Sequence, residues 1–457
     1  MQNNQLERGL SFTQATAINM IDMVGTGPFV TIPLIVSAMK GPQCILAWVL
    51  GAVLAFMDGT VWSELGAKWP QAGGSYVFLQ KLYGEKKWGR LMSFLFIWQT
   101  MIQAPLVIAS GAIGFSQYLH YLMPLNDLEK RLVSGGMIIL LVLLLYRNIK
   151  SIGNISVFLW IVTGGTLFWL IGSGIPGFNS HMAFSYSKDA FDLTPLFFAG
   201  LGHASISTVY SYLGYYNICQ LGAEIKKPEI NIPKSIFISI AGIAVFYLAM
   251  QIVLLGNLPW RDLAKSEFVV SIYFEHLYSV TAAKIATALV LIISFASIFS
   301  AMLGYSRVPY AAAVDGNFFP VLAKVHPTKK FPHVSLLCLG AIAFVFSLLF
   351  KMKEVITAII TMRILVQFVG QAVGVIAWHY RKPKEPRPFK MPLFPIPAII
   401  SIIVWMFILL SVVFSPQWPF VVAALGIIGL GIVVFFAVGD RFRQMKPVET
   451  AGDQLEL

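Results

Sequence analysis

Three charged side chains, Asp22, Asp58 and Arg363, stand in stretches otherwise built of apolar residues, and two apolar stretches are interrupted mid-way. The first interruption reads Ile21-Asp22-Met23-Val24-Gly25-Thr26-Gly27-Pro28-Phe29. Pro28 lacks an N–H and its ring clashes with the preceding turn, so a helix breaks here. The segment after the break, from Gly25, Thr26 and Gly27, opens with free N–H groups and the positive end of a helix dipole. That is a seat for an anion the size of a carboxylate. The segment before it ends in free carbonyls near Met23, which suit an ammonium group. The second interruption, Tyr210-Ser211-Tyr212-Leu213-Gly214-Tyr215-Tyr216, sets one glycine among polar aromatics and adds carbonyls near Tyr210 and Leu213. A donor patch beside an acceptor patch fits an α-amino-acid zwitterion. The plainer alternative is that these glycines only let helices pack closely.

Intramembrane charges are costly, so they usually face a cavity or each other. Asp22, one turn before the first break, is expected to sense substrate charge or carry a proton, unless a neighbouring helix satisfies it. Asp58 lies farther from the break. Arg363 is placed roughly 13 Å into its span at about 1.5 Å per residue, where it pairs with an acid as a gate or neutralises Asp22. His203 reads as a packed histidine, and Gln103 as a pocket residue or a helix–helix contact. Glu64 and Glu224 read as braces to nearby lysines. No Gly-rich nucleotide loop with lysine, HExxH or GxSxG motif is present, so neither an enzyme nor an ATP-driven pump is expected. No paired metal-ligand spacing is present either, and the three cysteines form no disulfide framework.

The elements that must hold these groups are membrane helices. Of the 457 residues, 57% are hydrophobic and only 12% are charged, against about 25% charged in an average soluble domain. Apolar stretches at about 15–38, 42–64, 90–121, 131–146, 154–175, 194–222, 232–256, 281–306, 333–350, 354–380, 396–415 and 420–439 give twelve expected spans. The first span, with no signal peptide before it, is expected to start insertion. With the N-terminus in the cytosol, most of the 33 Lys and Arg residues fall on the inner side, as in Lys81, Lys86, Lys87 and Arg90, or Arg381, Lys382, Lys384 and Arg387. That bias orients both termini inward. It also accounts for the net charge of +12 without a nucleic-acid partner. The expected divisions are a cytosolic segment 1–14, five spans over 15–175, five over 194–380, two over 396–439, and a cytosolic tail 440–457. Two five-span halves would place the interruptions in the first span of each, which is where a transporter's binding site forms.

At these residues the chain resembles the amino acid–polyamine–organocation superfamily, and within it the L-type amino-acid transporters. Gly25-Thr26-Gly27-Pro28-Phe29 resembles the family's first-span break. Ser63-Glu64-Leu65-Gly66 with Gly73-Gly74-Ser75-Tyr76 resembles its signature after the second span. Ser211-Tyr212-Leu213-Gly214 through Glu224-Ile225-Lys226-Lys227-Pro228 and Asn231-Ile232-Pro233 resembles that of the sixth. Ser306-Arg307 with Asp315-Gly316 resembles the one after the eighth. The resemblance implies an all-α membrane protein of twelve transmembrane helices, a LeuT-type five-plus-five inverted repeat with two further C-terminal helices. It also implies secondary transport or exchange of amino acids across the cell membrane. The substrate carboxylate would meet the N–H groups of Thr26 and Gly27, the amino group would meet carbonyls of Met23, Tyr210 and Leu213, and Tyr210 would gate the site.

The chain departs from that pattern in four places. Pro28 and Asp58 are more like polyamine-uptake relatives. Thr166 falls where the family carries a lysine in its fifth span. The loop between the third and fourth spans lacks the cysteine that bonds a glycoprotein subunit, so no disulfide-linked partner is expected, and the protein is a monomer or homo-oligomer. Without the lysine, sodium could sit between carbonyls of Ile21 and Val24 and the hydroxyls of Ser294 or Ser297; otherwise Asp22 or Asp58 carries a proton, or substrates exchange. No other cofactor is expected. The alternative functions are a polyamine or cationic-amine importer, which Arg363 opposes, and a nutrient sensor that binds without transport.

Overall fold

The computed structural model describes residues 6–84, 86–350 and 352–444, so the ends of the expected cytosolic segments, 1–5 and 445–457, lie outside the described residues. The chain is built from helices, and among the described residues only two isolated bridges, Leu10 with Ile225 and Ala72 with Leu221, have strand-like pairing. The first half comprises α1 (Phe12–Met23), α2 (Gly27–Met39), α3 (Ile45–Lys68), α4 (Ser75–Tyr83), α5 (Lys87–Leu122), α6 (Asp127–Leu145), α7 (Ile149–Gly174) and the short α8 (Ser180–Ala183). Then come α9 (Pro195–Tyr212), α10 (Asn217–Gln220), α11 (Pro228–Asn257), α12 (Trp260–Lys265), α13 (Val269–Leu277), α14 (Val280–Tyr305) and α15 (Arg307–Val314). The remainder is α16 (His333–Leu349), α17 (Met352–Arg363), a π-helical turn Ile364–Val369, α18 (Gly370–Arg381), α19 (Ile396–Val413) and α20 (Trp418–Gln444). Segments expected as plain loops after α3, α7, α11 and α14 thus carry the short helices α4, α8, α12, α13 and α15. These are too short to register as spans, yet they bury apolar faces such as Tyr76, Phe78 and Leu79, or Tyr273 and Phe274.

Helix is found at each stretch expected to span. By length and apolarity alone, eight helices qualify among the described residues, or nine if α1 and α2, bent by 43°, form one broken span. The others fall short for visible reasons. α6 opens on Asp127, Glu129, Lys130 and Arg131, α9 is rich in hydroxyl and glycine residues, and α16 has 17 residues. The outer faces are apolar: Leu143, Phe158, Ile161, Phe168, Val433 and Phe436 are each more than 60% exposed. In water such a belt would aggregate; it belongs against lipid, where only internally hydrogen-bonded backbone is stable. This is a multi-pass membrane protein.

The interior inverts that pattern. α1 packs on α7, α11 and α14, α2 runs along α9, and α3 lies against α11 and α19. Polar groups at the ends of this core are paired. Glu224, fully buried, receives a bidentate pair of bonds from Arg307, Nε and Nη2 each at 2.8 Å, and its carbonyl accepts the N–H groups of Gly9 and Leu10. Glu64 lies 2.5 Å from His379 Nε2 and 3.3 Å from Arg387, and accepts the Met391 N–H at 2.8 Å. The expected lysine partners are thus replaced by arginines and a histidine. A planar guanidinium can satisfy both carboxylate oxygens at once, which a lysine cannot.

Removing Arg307 leaves Glu224 charged and unpaired in the interior. Arg307→Ala is therefore expected to cost about 3–5 kcal/mol, and the double change Arg307→Met with Glu224→Gln clearly less. Thermal melts of the purified proteins in detergent compare the two.

Candidate functional site

Both interruptions are real breaks, and they meet. α1 ends at Met23, and α2 starts at Gly27 with Thr26 as its N-cap. Pro28 sits in the first turn of α2 rather than clashing inside a continuous helix, where its missing N–H leaves nothing unpaired. The N–H groups of Gly25, Thr26 and Gly27 find no acceptor among the described residues. On the other side, α9 ends at Tyr212 and the chain turns at Gly214 before α10. Gly214 has φ +115°, and a Cβ there would stand 2.9 Å from the carbonyl carbon and Oδ2 of Asp22 and from the Met23 nitrogen. Its hydrogen atom is what lets the two breaks touch.

The broken segments enclose a cavity of about 60 Å³, several times the 10–15 Å³ or so that one water needs. Asp22, Met23, Gly25, Thr26, Gly27, Tyr210, Ser211, Leu213, Gly214, Ser294, Ser297 and Arg363 all line it. Thus the structure gathers into one place the backbone of both breaks together with Asp22, Arg363, Ser294 and Ser297. Tyr210 lies over Gly27, 3.3 Å from the position of a Cβ there, and its hydroxyl is 2.9 Å from Ser110 Oγ. The Leu213 N–H bonds to the Tyr210 and Val209 carbonyls, so the Tyr210 carbonyl is partly engaged. Ser297 donates to the Asp22 carbonyl at 3.1 Å and Ser294 to the Gly111 carbonyl at 3.3 Å. Among the described residues no three His, Cys, Asp or Glu side chains gather where they could hold a metal ion.

Two of the charge and coupling candidates lie elsewhere. Asp58 is buried outside the cavity and accepts from Trp62 Nε1 at 2.8 Å, Tyr215 hydroxyl at 2.5 Å and Ser401 Oγ at 3.0 Å. It ties α3 and α19 to the chain just after the second break. Thr166 does not line the cavity, and its hydroxyl is spent on the Val162 carbonyl one turn back, at 2.8 Å. Arg363 lines the cavity but forms no ion pair with an acid among the described residues: Nη1 donates to the Tyr216 hydroxyl, and the guanidinium lies 5.5 Å and 5.3 Å from the ring centroids of Tyr216 and Tyr305. Gln103 is buried away from the cavity.

Sequence reasoning missed the residues that hold the breaks open. The Tyr247 hydroxyl, from α11, stands 2.7 Å from the Met23 carbonyl and 3.1 Å from that of Ser211, sharing its hydrogen between the two. Asn19 donates to the Tyr215 carbonyl at 2.7 Å and accepts the Ile218 N–H at 2.9 Å, so its amide stands in for a missing helical turn. Asn217 bonds the Ser300 carbonyl and hydroxyl, both at 2.9 Å. A polar residue in a span was the available signal for Asn19; nothing marked Tyr247.

The profile of the amino acid permease family matches residues 10–437. The chain belongs to the amino acid permease family. Among its relatives, the uncharacterized amino acid permease YecA of Bacillus subtilis is 25% identical, over 75% of this chain and 77% of its own. The branched-chain amino acid permease BcaP of the same organism is 23% identical over 96% and 95%. The cationic amino acid transporter 4 of Mus musculus is 24% identical over 83% of this chain, which spans 61% of that longer protein. Family membership covers both breaks and the cavity between them, and the family is one of transporters.

Two variants separate scaffold from cavity. Tyr247→Phe frees two buried carbonyls, so it should lower stability by about 1–3 kcal/mol and reduce uptake. Asp58→Asn deprives one of its donors of an acceptor and should also lower the melting temperature, yet leave substrate affinity within about twofold, since Asp58 lies outside the cavity. Melting curves and ligand titrations on the same preparations check both.

Proposed function

We propose that this protein is a secondary transporter that carries α-amino acids across the cytoplasmic membrane by alternating access. The observation that carries this reading is the set of N–H groups at Gly25, Thr26 and Gly27, unpaired among the described residues, in the wall of a cavity beside the carbonyls and carboxylate of the other broken ends. The carboxylate of the substrate sits on the Thr26 and Gly27 N–H groups at the start of α2. Its ammonium group sits among the Met23, Tyr210 and Leu213 carbonyls, with Tyr247 already occupying part of the Met23 oxygen. Tyr210, packed over Gly27, closes the site. The helix order supports twelve crossings arranged as a LeuT-type five-plus-five inverted repeat, residues 15–175 and 194–380, with α19 and α20 added at 396–439 and both termini in the cytosol. Such repeats let one bundle rock against the other around a fixed midplane site. The names of the relatives, permeases and transporters of several amino acids, support the substrate class without choosing a member.

Coupling runs through Asp22, or transport is by exchange. Asp22 is the carboxylate that lines the cavity, whereas Asp58 is held in its own hydrogen-bond node. The Ser297 hydroxyl donates to the Asp22 carbonyl, which leaves its lone pairs open to a sodium ion. The alternative of a polyamine importer is disfavoured by Arg363, a cation in the wall of the same cavity.

Gly27→Leu drives a side chain into Tyr210 and should abolish amino-acid uptake into proteoliposomes with expression retained; unchanged uptake would refute the placement. Amino-acid esters, lacking the anion, should bind poorly. An inward proton gradient should accelerate uptake, and Asp22→Asn should remove that acceleration. Dependence on a sodium gradient, lost in Ser297→Ala, would point to sodium instead.

A further inference from the structure

A transported zwitterion leaves one group in the cavity unused. The α-carboxylate takes the N–H groups of the first break, and the ammonium group takes the carbonyls and the Asp22 side chain. Arg363 remains. Arg363 is 3% exposed, yet among the described residues only Nη1 is hydrogen-bonded and Nε and Nη2 have no partner. Among the described residues no carboxylate lies within 4.0 Å of it. Asp22 shares the cavity wall and feels the guanidinium's charge but takes none of its hydrogen bonds; buried donors without acceptors are unfavourable, so an acceptor that enters the cavity relieves them.

The surrounding geometry fixes where that guanidinium works. Asp22 turns its Oδ2 toward Gly214, whereas Arg363 is held by Tyr216, two residues farther along the same break. The negative and positive side chains thus stand side by side on the wall without bridging each other. The Tyr216 and Tyr305 rings flank the guanidinium, and α17 gives way to a π-helical turn directly after Arg363, at Ile364. Such turns widen a helix locally and are common where a side chain is presented to a ligand. A planar fork with two open donors is matched by a carboxylate. A neutral amide oxygen could accept one bond, but it leaves the charge uncompensated.

We infer that Arg363 is a specificity residue, and that the substrates are acidic amino acids whose side-chain carboxylate binds its open donors. This rests on the reading of the cavity as an amino-acid site. It adds a third contact to the two made by every α-amino acid, and it accounts for a buried cation that the zwitterion alone does not use.

The test is binding of L-glutamate, L-aspartate, L-glutamine, L-asparagine, L-leucine and L-lysine to the purified full-length protein, by isothermal titration. It is repeated with Arg363→Gln and Arg363→Lys, each checked for a single gel-filtration peak and a melting transition. In the wild type an acid should bind at least about tenfold more tightly than its own amide, the scale of a hydrogen bond to a charged group. Arg363→Gln should erase that ratio by weakening acid binding far more than amide binding, and Arg363→Lys should restore part of it. Equal binding of acids and amides by the wild type would overturn the inference without using any variant, and so would preference for leucine or lysine; in both cases the amino-acid reading stands. Binding of none of the six would overturn both.

Discussion

In the low dielectric of a bilayer, a backbone N–H or carbonyl without a partner costs several kcal/mol, and the whole architecture is arranged around the place where that rule is broken. α1 and α9 both stop part-way, and their ends face each other across Gly214 and Asp22. Leaving those groups bare is sustainable only because protein surrounds them on every side. Tyr247, Asn19 and Asn217 each satisfy a subset of the freed groups. The N–H groups of Gly25, Thr26 and Gly27 are left over, and they are the ones that can serve a ligand.

That division of labour explains why the scaffold around the site is so polar for a membrane protein. The braces come from three helices: Tyr247 from α11, Ser297 and Ser300 from α14, Asn19 from α1 itself. The breaks are therefore pinned by hydrogen bonds from several neighbouring helices. Farther out, Arg307 with Glu224 joins the segment following the second break to the end of α14 and to the chain before α1. Glu64 joins α3 to α18 and to the connector beyond it. These buried pairs fix how the ends of the bundle assemble, because a charge at such depth tolerates only one arrangement of partners.

Burial also sorts charges of the same kind. Asp58 and Asp22 look alike in the sequence, each an aspartate within an apolar stretch. Three donors converge on Asp58, and it becomes a knot between helices; Asp22 faces the cavity. Arg307 and Arg363 divide in the same way, the first saturated by a carboxylate and the second left with two open donors. What distinguishes them is how many complementary groups the fold brings within about 3 Å, the distance over which a hydrogen bond acts.

The sequence by itself determined that this is a helical membrane protein, where its long apolar helices lie, and that the two breaks fall at Gly25–Pro28 and near Gly214. Those features are local: apolar run length, proline and glycine act on their immediate neighbours, so they are readable one segment at a time. Most of the cavity wall was also legible, because its donors and acceptors are the backbone of the breaks themselves. Only the tertiary structure decided the rest. That Asp58 is a brace, that Thr166 points its hydroxyl back at Val162, and that Arg307 rather than a lysine holds Glu224 all depend on partners 4 to 343 positions away in the chain. Tyr247 gave no sign at all, since a tyrosine in a span is ordinary until its hydroxyl is seen between the Met23 and Ser211 carbonyls. Hydrogen bonds are short and directional, so which polar residue meets which break is fixed by packing and not by any pattern along the chain.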